Sequence, residues 1–331
     1  MFAVYATRPD PADPLAALRT GERPEPEVPP GWAEVTLRAA SLNMHDLNTL
    51  RGVRMSPERY PMILGCDGAG VLADGAEVVL HSLIGAPDWH GPEQLDPQRT
   101  VLSELHQGTF AERVAVPEAN LVRKPAALSF AEATCLPTAW LTAYRMLFTT
   151  AAARPGQTVL VHGRRRLGSI AGAVLQLAAA AGCTVWAALP QAQHELAVSL
   201  GAHRVFALAD RLPGQVDAVL DAGVEETGWT HALRWLRPGG TLVCAGWRTG
   251  APDGEPPAHL LNELIFRELR LAGSTMGTAA ELAELLAFLE MTGVRPPIAA
   301  ELPLTRAAEG FELMLTGRVS GKIVFTAAAR P

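Results

Sequence analysis

Two stretches of the chain carry residue types that could do chemistry. The first is Asn43-Met44-His45-Asp46, followed further on by Tyr60. An amide, an imidazole, a carboxyl and a phenol so grouped are suited to holding a polar substrate atom and moving a proton. The second is Val159-Leu-Val-His-Gly-Arg-Arg-Arg-Leu-Gly-Ser-Ile-Ala-Gly172, an apolar run, a turn from Gly163 to Gly168 and an Ala/Leu-rich stretch. Strand, glycine turn and helix in that order bring backbone N–H groups and a helix N-terminus to a phosphate. Here Arg164, Arg165 and Arg166 stand where such a turn carries more glycine.

The turn can be read in two ways. Anchored on the strand, Gly163–Gly168 fits G-x-G-x-x-G with Arg165 at the middle glycine. Anchored on the helix, the pattern from Gly168 through Ser169 and Ile170 to Leu177 is kept without a gap, and the loop is longer by about two residues. The helix anchor preserves more of the pattern. Either way a side chain replaces backbone at the phosphate position. The arginines can compensate by charge, since guanidinium matches phosphate, or form a solvated turn in a protein that no longer uses a dinucleotide. The end of the following strand reads Ala187-Ala-Leu-Pro-Gln-Ala-Gln-His194, without the acid that binds the ribose hydroxyls in NAD sites and without the cation usual in NADP sites, unless His194 or an arginine of the long loop reaches across. The cofactor expected is NADPH, or none.

The surrounding elements follow from texture. Residues 1–122 show short β-type runs between Pro- and Gly-rich turns. Ser129-Phe-Ala-Glu132 is a capping box opening a helix to about Thr150, with a kink at Pro137. Strand and helix patterns then alternate from Thr158 to Ala245, implying a doubly wound parallel sheet. Two helices, about 279–292 and 305–316, and a strand Lys322–Thr326 close the chain. The 331 residues suit two domains, and 48% apolar against 19% charged residues allows large cores. A net charge of −6 argues against nucleic acid. Cys66, Cys135, Cys183 and Cys244 are scattered without a C-x-x-C pair. With no signal segment or membrane-length apolar run, the chain reads as cytoplasmic. Trp140, Trp229 and Trp235 are expected in cores and Trp247 at a ligand.

The motifs Ala39–Leu47, Pro61–Gly70, Gly108-Thr-Phe-Ala-Glu112, Leu136–Tyr144, Leu236-Arg-Pro-Gly-Gly240, Gly273–Gly277 and Gly321-Lys-Ile-Val324 occur in an order that resembles the medium-chain dehydrogenase/reductase superfamily, in its zinc-independent quinone- and enoyl-reductase branch. The resemblance implies an α/β chain: a GroES-like β-rich catalytic domain from 1–122 and 278–331, and a Rossmann domain from 123–277, with the active site in the cleft. It implies a homodimer joined through strands near 241–246 and 269–274. The zinc-dependent branch places ligands near Asn43, Cys66-Asp67 and Thr138; these residues read as a zinc-free site. Carried over, Asn43, His45, Asp46 and Tyr60 are catalytic candidates, since the branch's usual Tyr falls on Arg54. Thr142, Gly163, Arg164, Arg165, Arg166, Gly168, Ser169, Ile170, Gly246, Trp247 and Lys322 are cofactor-binding candidates. The implied function is hydride transfer from NADPH to a quinone, enone or enoyl substrate. The alternatives are a non-redox step such as cyclisation, isomerisation or elimination on the same fold, and a binding protein without catalysis.

Overall fold

The computed structural model describes residues 1–53, 55–163, 167–222, 228–246, 258–317 and 319–327. They form two compact units, Met1–Leu141 joined by the chain from Gly277, and Thr142–Met276.

The first unit opens with strands β1 (Phe2–Ala6), β2 (Leu18–Glu22) and β3 (Trp32–Ser41). In β3, Val35, Leu37 and Ala39 alternate with more exposed neighbours, the period of a half-buried strand. Helix α1 (Met44–Arg51) follows at once, and Gly52 ends it with φ 75°, where glycine is favoured. Then come β4 (Met62–Ile63), β5 (Asp67–Val71), β6 (Glu77–Leu80), β7 (Leu83–Ile84), β8 (Thr100–Val101), β9 (Arg113–Pro117) and β10 (Leu121–Arg123).

The capping box at Ser129 forms, with Ser129 Oγ accepting from Glu132 N, but α2 spans only Phe130–Ala133. Instead of one kinked helix to Thr150, the chain runs through a π-helical stretch at Leu136–Trp140, α3 (Leu141–Tyr144) and a second π-helical stretch at Arg145–Thr150. Pro137 has no N–H to give to a regular helix, and the widened turn absorbs the loss. This segment belongs to the first unit as far as Leu141: Cys135 packs with Ala39 and Val324.

The second unit contains β11 (Thr158–His162), α4 (Ser169–Ala180), β12 (Thr184–Ala188), α5 (His194–Ser199), β13 (Arg204–Phe206), β14 (Val216–Asp221), α6 (Gly228–Trp235), β15 (Leu236–Cys244), α7 (Ala258–Phe266) and β16 (Arg270–Gly273). The six strands lie in the order β13-β12-β11-β14-β15-β16 and every pair is parallel. This is the Rossmann arrangement expected from the alternation of strands and helices. β15 starts earlier than the sequence pattern suggests, at Leu236, and it lies inside the sheet; of the two strands expected at a dimer edge, only β16 is one.

The chain returns to the first unit with α8 (Ala279–Thr292), β17 (Ile298–Pro303), α9 (Ala307–Thr316) and β18 (Lys322–Thr326). One sheet has the order β10-β6-β5-β3-β18-β17, with β9 also paired to β3. The antiparallel register Val324↔Ser41 carries Lys322 beyond the end of β3, to the start of α1. Phe110, Phe311 and Phe325 fill the adjoining core, with Phe110 edge-on to both others at 6.3 and 5.0 Å.

Candidate active site

The polar residues at the start of α1 sit in a buried network centred on the Asp67 carboxylate. Oδ2 accepts hydrogen bonds from Ser41 Oγ (2.9 Å), Asn43 Nδ2 (2.7 Å) and Lys322 Nζ (3.3 Å). Oδ1 accepts from Ser82 Oγ (3.2 Å) and Thr138 Oγ1 (2.5 Å). Lys322 Nζ also donates to Asn43 Oδ1 (2.6 Å) and Leu42 O (3.1 Å), so each of its three protons has an acceptor. Asp67 is fully buried and Lys322 is 3% exposed. A buried ion pair survives only with this degree of satisfaction, because each ion loses its hydration.

Cys66 lies inside the same network, with Sγ 3.5 Å from Asn43 Nδ2 and 3.6 Å from Thr138 Oγ1. Burial first, and then the charges of Asp67 and Asp46, push its thiol far up from the ordinary range. It is a neutral packing group rather than a thiolate. Zinc requires three or four thiolate, imidazole or carboxylate ligands around one point. Here the corresponding positions hold an amide, a neutral thiol, a carboxylate and a hydroxyl, and the carboxylate is bonded to the Lys322 ammonium. No cluster of three His, Cys, Asp or Glu suited to a metal occurs among the described residues.

Asp46 reaches back to the start of its helix. Its Oδ2 accepts from Asn43 N and its Oδ1 from Gly65 N, both at 2.8 Å. Gly65 has φ 94°, and a Cβ there would come within 2.4 Å of the Phe110 ring, so only glycine offers this N–H. Burial raises the Asp46 carboxyl to about 6, against the opposing influence of the His45 charge and the two N–H groups. Tyr60 is half-buried. Its hydroxyl donates to Thr49 O at 2.5 Å, and burial pushes it up to about 12. His45 differs from both. Its Nδ1 lies 3.9 Å from Glu104 Oε1, and its Nε2 is buried without a hydrogen-bond partner. Glu104 is held by Val101 N at 3.0 Å. Nothing in the local sequence pattern marks Glu104, because it stands in a loop and meets His45 only through the fold.

In the second unit, β11 ends at His162 and Gly168 caps α4 with extended backbone and no side-chain cap. Gly168 offers no side chain to the first-turn N–H groups of α4 at Ser169 and Ile170, an arrangement that suits an anion. Gly163 N donates to Ala188 O (3.2 Å) and Leu167 N to Gln193 Oε1 (3.1 Å), so part of the turn is bonded to the end of the β12 region. Gly246 follows β15 with φ 99° and comes to the same C-terminal edge of the sheet. His162 is 4% exposed, its Nδ1 3.8 Å from Asp221 Oδ2 and its ring edge-on to Trp235. Thr142 is buried, and its Oγ1 accepts from Met276 N. Arg164, Arg165, Arg166 and Trp247 lie outside the described residues, as does Arg54. Lys322 is placed in the first unit's buried network, where its protons are engaged within the protein. The parallel sheet edge, the uncapped α4 and the glycine at 246 fit a dinucleotide.

A model described as an alcohol dehydrogenase GroES-like domain matches residues 29–126, and one described as a zinc-binding dehydrogenase matches residues 199–325. An alcohol dehydrogenase of Geobacillus stearothermophilus is 28% identical over 333 residues, covering 93% of this chain and 95% of its own. Mouse quinone oxidoreductase is 30% identical over 230 residues, covering 65% and 67%. A crystal structure of an NAD-dependent alcohol dehydrogenase shares 31% identity with a TM-score of 0.87, covering 99% of this chain and 100% of that one. The chain belongs to the medium-chain dehydrogenase/reductase superfamily and is an oxidoreductase.

Replacing Lys322 with Met is expected to destabilise the protein by about 3–5 kcal/mol in urea unfolding, because it strands the Asp67 charge. The Asp67→Asn, Lys322→Met double variant recovers most of that loss; additive losses would mean the two groups do not act as a pair. For Asp46, the folded state retains a proton between about pH 4 and 6 that the unfolded state releases, so its contribution to stability falls as pH rises through that window. The stability of wild type relative to Asp46→Asn should decline by up to about 3 kcal/mol from pH 4 to pH 7; a difference flat with pH contradicts the raised carboxyl.

Proposed function

We propose that this oxidoreductase is a zinc-independent, NADPH-dependent reductase of a conjugated carbonyl: a quinone, an enone or an enoyl thioester. The observation that carries the reading is the Lys322 ammonium bonded within the Asn43, Cys66, Asp67 and Thr138 cluster, where zinc-dependent relatives keep their ligands. When bound, NADPH supplies the hydride. The choice of NADPH over NADH rests on the residues after β12, Leu189 and Pro190, which bring no carboxylate to the ribose hydroxyls. Ser169 and Ile170 supply backbone N–H groups for phosphate from the first turn of α4.

The proton falls to His45. Both Asp46 oxygens already accept backbone N–H groups, and the Tyr60 hydroxyl already donates to Thr49 O. His45 alone of the four candidates keeps an unpartnered polar atom, Nε2. Glu104, with Oε1 3.9 Å from Nδ1, is placed to act as its positioning residue. Asn43 holds Asp67 and Lys322 and so fixes the start of α1.

The reading extends to assembly and compartment. Edge strand β16 exposes Leu271, and the preceding α7 exposes Leu261, Ile265 and Phe266, the last 82% exposed. An open strand beside an apolar patch suits pairing with a second copy as a homodimer. Four cysteines without a disulfide suit a reducing, cytoplasmic compartment.

Calorimetric titration should show saturable NADPH binding that is tighter than NADH binding. Absence of saturable binding of either at millimolar concentration would sink the reductase reading. With a quinone or enone as acceptor, His45→Gln should lower kcat about 100-fold. Glu104→Gln should lower kcat about 10-fold with KM little changed; an unchanged kcat in both variants removes His45 from the proton step. Light scattering should find a dimer that Phe266→Glu converts to monomer. A wild-type monomer would contradict the assembly.

A further inference from the structure

The first unit contains a cavity of about 410 Å³ that the proposed reaction does not use. Its size falls in the range of small-molecule sites, about 300–1,000 Å³. Trp32 and His106 line it with their rings 4.8 Å apart and tilted by 58°, forming an aromatic platform. Ile63 and Val114 add apolar wall. Pro24, Pro26 and Pro29 line it as well, and their fixed φ angles make that segment stiff before any ligand arrives.

The charges around the cavity are not equally satisfied. Arg113 bonds Glu25 at 2.8 Å and lies 3.9 Å from Glu34. Arg23, also in the lining, has its guanidinium 5.1 Å from the Tyr5 ring centre and no carboxylate partner among the described residues. Its Nε is enclosed within the protein, without a hydrogen-bond acceptor among the described residues. A guanidinium is always charged, and one that lines a cavity without a carboxylate partner among the described residues suits an anion. His106 has its pKa lowered, by burial first and then by the Arg59 charge, so the platform is neutral at neutral pH. Glu27 lines the cavity without a cation partner among the described residues and opposes a second negative charge.

We propose that this cavity binds a planar aromatic monocarboxylate, its ring on Trp32 and His106 and its carboxylate on Arg23. Flat apolar area is matched by the aromatic pair and the aliphatic wall. The single anionic group is matched by Arg23, the guanidinium in the lining without a carboxylate partner among the described residues, in the geometry arginine offers a carboxylate. The lining shares no residue with the proposed proton-transfer group, so the proposal does not rest on the reductase reading.

The test is titration of the whole protein with benzoate and with indole-3-acetate, followed by calorimetry and by the Trp32 indole N–H resonance. Saturable binding of at least one acid that shifts this resonance is expected. Arg23→Gln should weaken it at least about 10-fold and Arg23→Lys by less, whereas Glu27→Gln should tighten it. Benzamide and inorganic phosphate should bind at least about 10-fold more weakly than the acid, since each supplies only half of the match. Circular dichroism of the Arg23 variants checks that they fold; Arg23 pairs with Met1 through its backbone, which substitution preserves. No saturation by either acid at about 10 mM overturns the proposal, as does benzamide binding equally well or Arg23→Gln leaving affinity unchanged.

Discussion

The buried pairing of Asp67 with Lys322 ties together parts of the chain that are 255 residues apart. Two ions taken out of water each lose several kcal/mol of hydration, and their mutual attraction offsets this only if the remaining lone pairs and protons find partners. They do. Ser41 comes from the end of β3, Asn43 from the N-cap of α1, Asp67 from the start of β5, Ser82 from the residues after β6, Thr138 from the π-helical stretch and Lys322 from β18. Six positions must therefore be placed to within a few tenths of an ångström. The first unit cannot assemble this network until its C-terminal strand pairs with β3.

Much of the local architecture can be understood as serving that constraint. The π-helical turn at Leu136–Trp140 carries Thr138 to Asp67. Gly65 turns the chain into β5 and offers its N–H to Asp46, which in turn holds the first turn of α1 and with it His45. The same network underlies the proposed zinc-independent chemistry. The Lys322 ammonium balances the Asp67 carboxylate, and burial keeps the Cys66 thiol neutral.

Elements specified by local chemistry could be read from the sequence. The alternation of strand and helix gave the parallel sheet, Ser129 and its partner Glu132 gave the start of α2, and the apolar run before Gly163 gave β11. Features decided by tertiary contacts could not. Pro137 suggests a kink, whereas the chain adopts widened turns that the residue pattern alone does not announce. Lys322 could be placed near a phosphate by resemblance; its position depends instead on the register of β18 against β3. Glu104 sits in an irregular loop with no periodicity, and Gln193 reaches Leu167 N across a strand end, so neither partnership has a signature in one dimension. Arg23 likewise looks like an ordinary surface cation until its neighbours are known.

The central claim is that the charge at the heart of the first unit is the Lys322 ammonium and that catalysis proceeds without a metal. Metal analysis of the purified protein by mass spectrometry, alongside NADPH-dependent reduction of a quinone before and after chelator treatment, tests it most directly. The account predicts zinc well below one per chain and a rate indifferent to chelation. One zinc per chain, removed together with activity and restored with it, would contradict it.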